Sequence, residues 1–307
     1  MTSARAGRAA PSGARPVDWL LGGYNAVLAA VWMTTLGRSE AAPWIVGAHL
    51  AGALLPWAVT IADRGSSRFL RGAREAYPLL LLYPLYAEVG VFHAAMGSVG
   101  HDATVMAWDR ALFSTNWHRV WAHAMPAAWF RETMYASYFS YYLLIALPAV
   151  AAAVTRRWDA FRDISFRMML IYVVCYAIYF AYPAFGPMRA DTQSGMETAR
   201  AVLDGFFPRL VHAAAASGDS PGTAFPSSHV AGALTAAWLG FRWHARWVAW
   251  LQLALAAGVA LSTVYTGNHY AIDALAGTVL AIVLQGFIAG RRSLSPSPTL
   301  NTLLGCR

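Results

Sequence analysis

The sequence predicts an all-α fold, a polytopic membrane helical bundle of about eight transmembrane helices, and three observations predict it. The 307 residues are 58% hydrophobic and only 12% charged, where a soluble domain averages about 25% charged residues. Apolar runs close to the ~20 residues that cross a bilayer recur along the chain. The arginines that separate these runs alternate in density from one connecting segment to the next. Mean hydropathy, at +0.42, agrees with the first observation.

In chain order the runs are 17–36, 44–61, 77–96, 133–154, 164–182, 227–241, 247–263 and 269–288. The first follows arginines, but no small-residue cleavage site comes promptly after it. It therefore reads as a permanent span and not as a signal peptide. The sixth is the shortest. The chain contains no lysine, so the formal charge of +8 rests on 23 arginines against 15 acidic residues. With the N-terminus inside, 16 arginines fall on the cytoplasmic side and 7 outside. The outer set is Arg38, Arg110, Arg119, Arg131, Arg189, Arg200 and Arg209. The asymmetry predicts a cell-membrane protein with both termini cytoplasmic.

The segments 1–16 and 291–307 are rich in Ala, Gly, Ser and Pro and read as disordered cytoplasmic tails. Two outer connections are long, 97–132 and 186–226, and connections of that length are usually functional or structured. The first carries Trp108, Phe113, Trp117, Trp121 and Trp129, the pattern of short helices lying in an aromatic belt. Nucleic acid is not an expected partner, because the arginines form short runs between apolar segments and not one basic patch. Cys175 and Cys306 support neither a zinc pattern nor a disulfide framework.

Two stretches carry chemistry. In Ala224-Phe225-Pro226-Ser227-Ser228-His229, Pro226 stops a preceding helix and Ser227 is a good N-cap for the next. Free N–H groups and the positive dipole end there make an anion site, with Ser227 and Ser228 as phosphate-binding candidates and His229 in reach. In Thr266-Gly267-Asn268-His269-Tyr270-Ala271-Ile272-Asp273, His269 and Asp273 are four apart and share a helix face. A carboxylate one turn into a span needs a partner, and His269 is the nearest. A carboxylate on one ring nitrogen fixes the tautomer and makes the other nitrogen the better nucleophile. Alone, the first stretch could simply cap a helix and the second staple two helices. Placed at one outer face, they make a phosphoryl-transfer site.

Pro226-Ser227-Ser228-His229 resembles the Pro-Ser-Gly-His motif of the type-2 phosphatidic-acid phosphatase superfamily, and the stretch 262–273 resembles its third motif, Ser-Arg-x5-His-x3-Asp. The run Gly267-Asn268-His269-Tyr270 through Asp273 to Gly277 is similar to the inositolphosphotransferase-like branch, related to inositol phosphorylceramide synthase. The resemblance implies a six-helix catalytic core at 77–290, preceded by two further transmembrane helices at 17–76. It also implies a lipid phosphotransferase or phosphatase with an extracytoplasmic site and no metal or other cofactor. In that reading His269 attacks phosphorus and becomes a phosphohistidine, Asp273 orients it, and His229 is the acid and then the base.

The departures are specific. Where the first motif has Lys-x6-Arg-Pro, this chain has Tyr182, Arg189 and Ala190; Thr263 replaces the arginine of the third motif and Ser228 the glycine of the second. Arg189 is the remaining candidate phosphate cation. Fewer cations suit a singly charged phosphodiester better than a phosphomonoester, which favours headgroup transfer on a phospholipid. A phosphatase with water as acceptor is the alternative. A vanadium haloperoxidase would need the missing cations.

Glu88 and His93, ionisable residues in an apolar run, are candidate headgroup-binding groups together with Tyr182 and Asn268. The stripe Tyr135, Tyr138, Tyr141 and Tyr142 reads as helix core, and His101, Asp102, Asp109, His118 and His123 as solvated or interfacial groups. A transporter or scramblase is the competing class. It predicts internal pseudo-symmetry and broken midplane helices, and the sequence displays neither.

Overall fold

A computed structural model describes residues 13–62, 68–190 and 205–293. Among these the regular structure is helical, with one isolated bridge between Ala184 and Thr223. The expected tails fall mostly on 1–12 and 294–307, outside the described residues, as do Arg64 and Arg200 of the topology count. The chain divides into two compact units, 1–83 and 84–307.

The first unit contains α1 (Pro16–Met33), α2 (Ala42–Ala53), α3 (Leu55–Ala62) and α4 (Arg68–Leu80). Asp18, fully buried in the first turn of α1, accepts the Arg15 backbone N–H at 2.6 Å and the Tyr77 hydroxyl. Its carboxylate also pairs with Arg15 at 3.4 Å and Arg74 at 3.8 Å. The helix dipole favours a negative charge at that position, and the partners keep the buried carboxylate satisfied. The expected span 44–61 is two helices instead of one. Pro56 has no N–H for the Gly52 carbonyl and disfavours helical geometry at Leu55, so α2 stops and Pro56 sits in the first turn of α3.

The second unit carries α5 (Leu82–Met96), α6 (Asp102–Phe113), α7 (Trp117–Ala124), α8 (Ala128–Val154), α9 (Trp158–Ala181), α10 (Pro187–Ala190), α11 (Phe206–Gly218), α12 (Ser228–Trp243), α13 (Arg246–Tyr265) and α14 (Ala271–Ser293). At its centre α12 packs on α13, α14, α9 and α8. Its inward positions are small (Ala231, Gly232, Ala233, Ala236, Ala237), so neighbouring backbones approach closely. A Cβ at Gly277 of α14 would collide with the Ser227 carbonyl oxygen.

Five helices are long and apolar enough to cross a membrane: Gly72–Met96, Ala128–Val154, Trp158–Ala181, Arg246–Tyr265 and Ala271–Gly290. They correspond to five of the eight expected runs. Of the other three, 44–61 is interrupted, and 227–241 folds as the 16-residue α12. The run 17–36 folds as α1, which is 18 residues long. The apolar surface on α13 and α14 matches a lipid environment. Leu275, Val279, Ile282, Val283 and Phe287 are exposed along α14, and Trp247, Trp250, Leu251 and Leu261 along α13. Stripes of this size in water would drive association.

The chain directions place one end of α9, α12 and α14 far from the other. At one end, Arg167 reaches Asp163 (3.1 Å) and Gln285 (2.8 Å), while Arg242 reaches the second Asp163 oxygen (2.9 Å). At the opposite end the C-terminus of α9, the N-termini of α12 and α14 and the C-terminus of α13 converge, and both histidine stretches lie there.

Candidate active site

The turn before α12 is fixed by its own backbone. The Ser227 hydroxyl caps the helix, accepting from Val230 N at 3.3 Å. Ser227 N donates to the Asp273 carbonyl (3.0 Å), and Ser228 N donates to the Tyr179 hydroxyl (3.1 Å), which itself donates to the Pro226 carbonyl (2.8 Å). The N-cap is as the sequence predicts. The N–H groups of Ser227 and Ser228 and the Ser227 hydroxyl make bonds within the fold, and neither residue lines the cavity described below.

His269 is buried in the connection between α13 and α14. Its Nδ1 lies 2.9 Å from the Ala224 carbonyl and 3.4 Å from Asp273 Oδ2. A carbonyl oxygen only accepts, so Nδ1 carries the hydrogen and Nε2 of the neutral ring carries the lone pair. Asp273, fully buried, also accepts the Tyr270 N–H at 2.9 Å, which holds its carboxylate beside the ring. His269 Nε2 faces His229 Nδ1 at 3.4 Å. His229 Nε2 in turn lies 3.0 Å from the Tyr138 hydroxyl, and its ring packs against that of Tyr141, 4.4 Å between centroids. A proton on Tyr138 pointing at Nε2 leaves the His229 hydrogen on Nδ1, aimed at His269.

The two histidines line a cavity of about 200 Å³ together with Arg189, Asn268, Tyr138 and Asp219. Of the residues singled out in the sequence, His229, His269, Arg189 and Asn268 meet there, with Asp273 behind His269. Glu88, His93 and Tyr182 do not line it. His93 bonds the Tyr179 carbonyl (2.8 Å) and Ser98 (2.9 Å), tying α5 to α9. Tyr182 stacks on His101 at 4.0 Å.

Three functional positions were read otherwise from the sequence. Tyr138 belongs to the stripe expected to be core; it is buried, but its hydroxyl holds His229. Asp102 and Asp109, expected to be solvated, are buried at 7% and 0% exposure. Asp102 accepts from Phe185 N (2.9 Å), Gly186 N (2.8 Å) and the Tyr270 hydroxyl (3.1 Å). Asp109 Oδ1 accepts from Ile272 N at 2.8 Å, at the start of α14. Burial pushes the Asp109 carboxyl above its ordinary range, against the pull of the Ile272 and Ala271 backbone N–H groups. The signal was available: Asp102 and Asp109 are seven apart, two turns along one face of α6. His118, also expected to be solvated, is buried edge-on to Tyr270, 5.1 Å between centroids.

The profile of a family described as the PAP2 superfamily matches residues 103–287, more than half of the chain. The chain belongs to the PAP2 superfamily. No curated protein and no solved structure matches it. As a PAP2-superfamily member it is a phosphatase or phosphotransferase enzyme, and the matched region runs from α6 to the far part of α14, enclosing both histidine stretches.

Removing the Tyr138 hydroxyl tests its part in this PAP2 site. In Tyr138→Phe the His229 ring keeps its packing but loses the bond that selects the Nδ1–H tautomer. One neutral hydrogen bond is worth about 1 kcal/mol, so kcat is expected to fall about tenfold with little change in KM. The pH profile of kcat should also move; a residue that only packs would leave its shape unchanged.

Proposed function

We propose that the protein is a membrane-embedded lipid phosphotransferase that acts through a phosphohistidine on His269 and takes a phosphodiester headgroup from a phospholipid donor. The observation that supports this best is the paired arrangement of the rings. His269 has Nδ1 locked by Ala224 and Asp273, while its free Nε2 faces His229 Nδ1 at 3.4 Å in one cavity.

In the first step His269 Nε2 attacks phosphorus as the bond from phosphorus to the leaving oxygen breaks. His229, doubly protonated in the complex with the anionic substrate, gives its Nδ1 proton to that oxygen and is left neutral, so the leaving group departs as an alcohol. Asp273 balances the positive charge that grows on the His269 ring. In the second step an acceptor hydroxyl attacks phosphorus, returns its proton to His229, and the P–N bond breaks. Positioned acid–base groups of this kind contribute typically ~10²–10⁴ in rate. Arg189 and Asn268 are the cavity groups within the phosphate's surroundings.

The test uses the purified protein in lipid nanodiscs with a panel of phosphomonoester and phosphodiester lipids and a free alcohol acceptor. The expected products are the de-phosphorylated donor and a new phospholipid built on the acceptor. Release of inorganic phosphate from monoesters alone would reject the transferase reading in favour of hydrolysis. The arginine asymmetry supports a site on the extracytoplasmic face of the cell membrane, with both termini cytoplasmic. A thiol introduced as Ala124→Cys, at the site end of the bundle, should then react with an impermeant reagent from outside, and labelling from the cytoplasmic side alone rejects that orientation.

A further inference from the structure

The cavity contains a negative charge that phosphoryl transfer does not require. Arg189, on α10, pairs through Nη1 with Asp219 Oδ2 at 3.0 Å. The other carboxylate oxygen, Oδ1, is 3.3 Å from the Tyr86 hydroxyl, which is itself held by Thr223 Oγ1 (3.0 Å) and Ser220 N (3.4 Å). Asp219 also ends α11, its N–H bonded to the Ala215 carbonyl. Its carboxylate is therefore held in the cavity wall by two groups distant in the chain, Arg189 and Tyr86.

Arg189, Asp219, His229 and His269 line the same space. Among the described residues lining it, Arg189 is the one arginine and Asp219 the one carboxylate. The pair cancels, so apart from the three histidines His212, His229 and His269 the lining has no net charge. A site built for a dianion would leave its cation uncompensated, because a carboxylate in the same wall repels each added negative charge on the ligand. A monoanion loses much less by the same arrangement.

We propose that Asp219 is a specificity-determining residue: paired with Arg189, it neutralises the cavity and discriminates against dianionic phosphomonoesters, leaving singly charged phosphodiesters as the class the site accepts. The proposal rests on the phosphoryl-transfer reading of the cavity and adds a residue that sets its substrate charge. Both side chains are more than a third exposed, 41% for Arg189 and 38% for Asp219, so water and salt screen the effect. A discrimination of about tenfold is the expected scale.

The experiment compares wild type, Asp219→Asn and Asp219→Glu in nanodiscs. One readout is the ratio of kcat/KM for a monoester lipid to that for a diester lipid. The second is the affinity for inorganic phosphate by calorimetry, at an alkaline pH where its dianion predominates. Asp219→Asn is expected to raise the ratio about tenfold and to tighten phosphate binding by a similar factor, with both gains shrinking in high salt. Asp219→Glu keeps the charge and should stay near wild type. An unchanged or lowered ratio in Asp219→Asn, with unchanged phosphate affinity, overturns the proposal; a merely structural role would lower both activities together. If wild type turns over no phospholipid, the phosphotransfer reading fails, and the phosphate-binding comparison still decides the role of Asp219.

Discussion

His269→Ala is expected to lower turnover by on the order of 10⁴-fold or more, to the level set by binding and the remaining polar groups alone. The substitution deletes the attacking Nε2. His229→Ala should cost about 10²–10⁴-fold, because the leaving alcohol then departs without its proton. The more telling result is the double variant. Nucleophile and acid serve one displacement, so His229→Ala combined with His269→Ala should be no slower than His269→Ala by itself. Trapping the enzyme with a donor labelled in its phosphorus gives a second readout: label should stay on wild type as an acid-labile adduct and be absent from His269→Ala. Full activity in His269→Ala, or label retained on that variant, would reject the phosphohistidine mechanism. His269 is buried, so thermal unfolding in detergent must accompany the assay, and the lost bond from Nδ1 to the Ala224 carbonyl should cost about 1–2 kcal/mol.

The sequence made the histidine pair legible for a local reason. His269 and Asp273 are four apart at the head of a helix, and Ser227 caps the helix that carries His229, so short-range patterns alone place these groups. What stayed hidden depends on long-range partners. The donors to Asp102 lie 83, 84 and 168 residues away, and the donor to Asp109 lies 163 away. The seven-residue spacing of Asp102 and Asp109 puts both on one face of α6, but no window of sequence names the distant donors that bury that face. Tyr138 is core as expected, but the bond from its hydroxyl stayed hidden for a related reason, since its histidine partner lies 91 residues on. The sequence also did not reveal that the N–H groups of Ser227 and Ser228 bond the Asp273 carbonyl and the Tyr179 hydroxyl. The span count was weakened by small residues. The Ala- and Gly-rich α12 is short and lies buried among other helices, whereas α13 and α14 turn long apolar faces outward.

Asp102→Asn should damage the enzyme far more than Asp109→Asn, although both acids sit on one face of α6. The carboxylate of Asp102 accepts from two successive backbone N–H groups, Phe185 and Gly186, and from the Tyr270 hydroxyl. Gly186 has φ +82, and a Cβ there would stand 2.9 Å from the Asn268 carbonyl, so the turn lies tight against the stretch that carries His269. Met188 N adds a bond to the Gly267 carbonyl at 3.1 Å. Asp102 thereby ties the turn leading to Arg189 to the turn presenting His269. An amide in its place leaves one oxygen for three donors and turns an NH₂ towards the Phe185 N–H, so at least one buried hydrogen bond is lost at about 1–3 kcal/mol. A shift of ~1 Å in such a constellation can cost about 10²-fold. The expected outcome is a lowered unfolding midpoint together with a kcat that stays about 10²-fold down when normalised to folded, trappable enzyme. A purely structural role would lower the midpoint and leave normalised kcat intact. Asp109 accepts from the Ile272 N–H, with the Ala271 N–H beside it, an interaction that an amide oxygen can keep, and burial already holds its carboxyl above its ordinary range. Replacing it with a neutral group therefore removes little, and Asp109→Asn should stay within about tenfold of wild type. Equal losses in the two variants would mean that α6 acts as a single packed element and that the Asp102 carboxylate has no separate hold on the site.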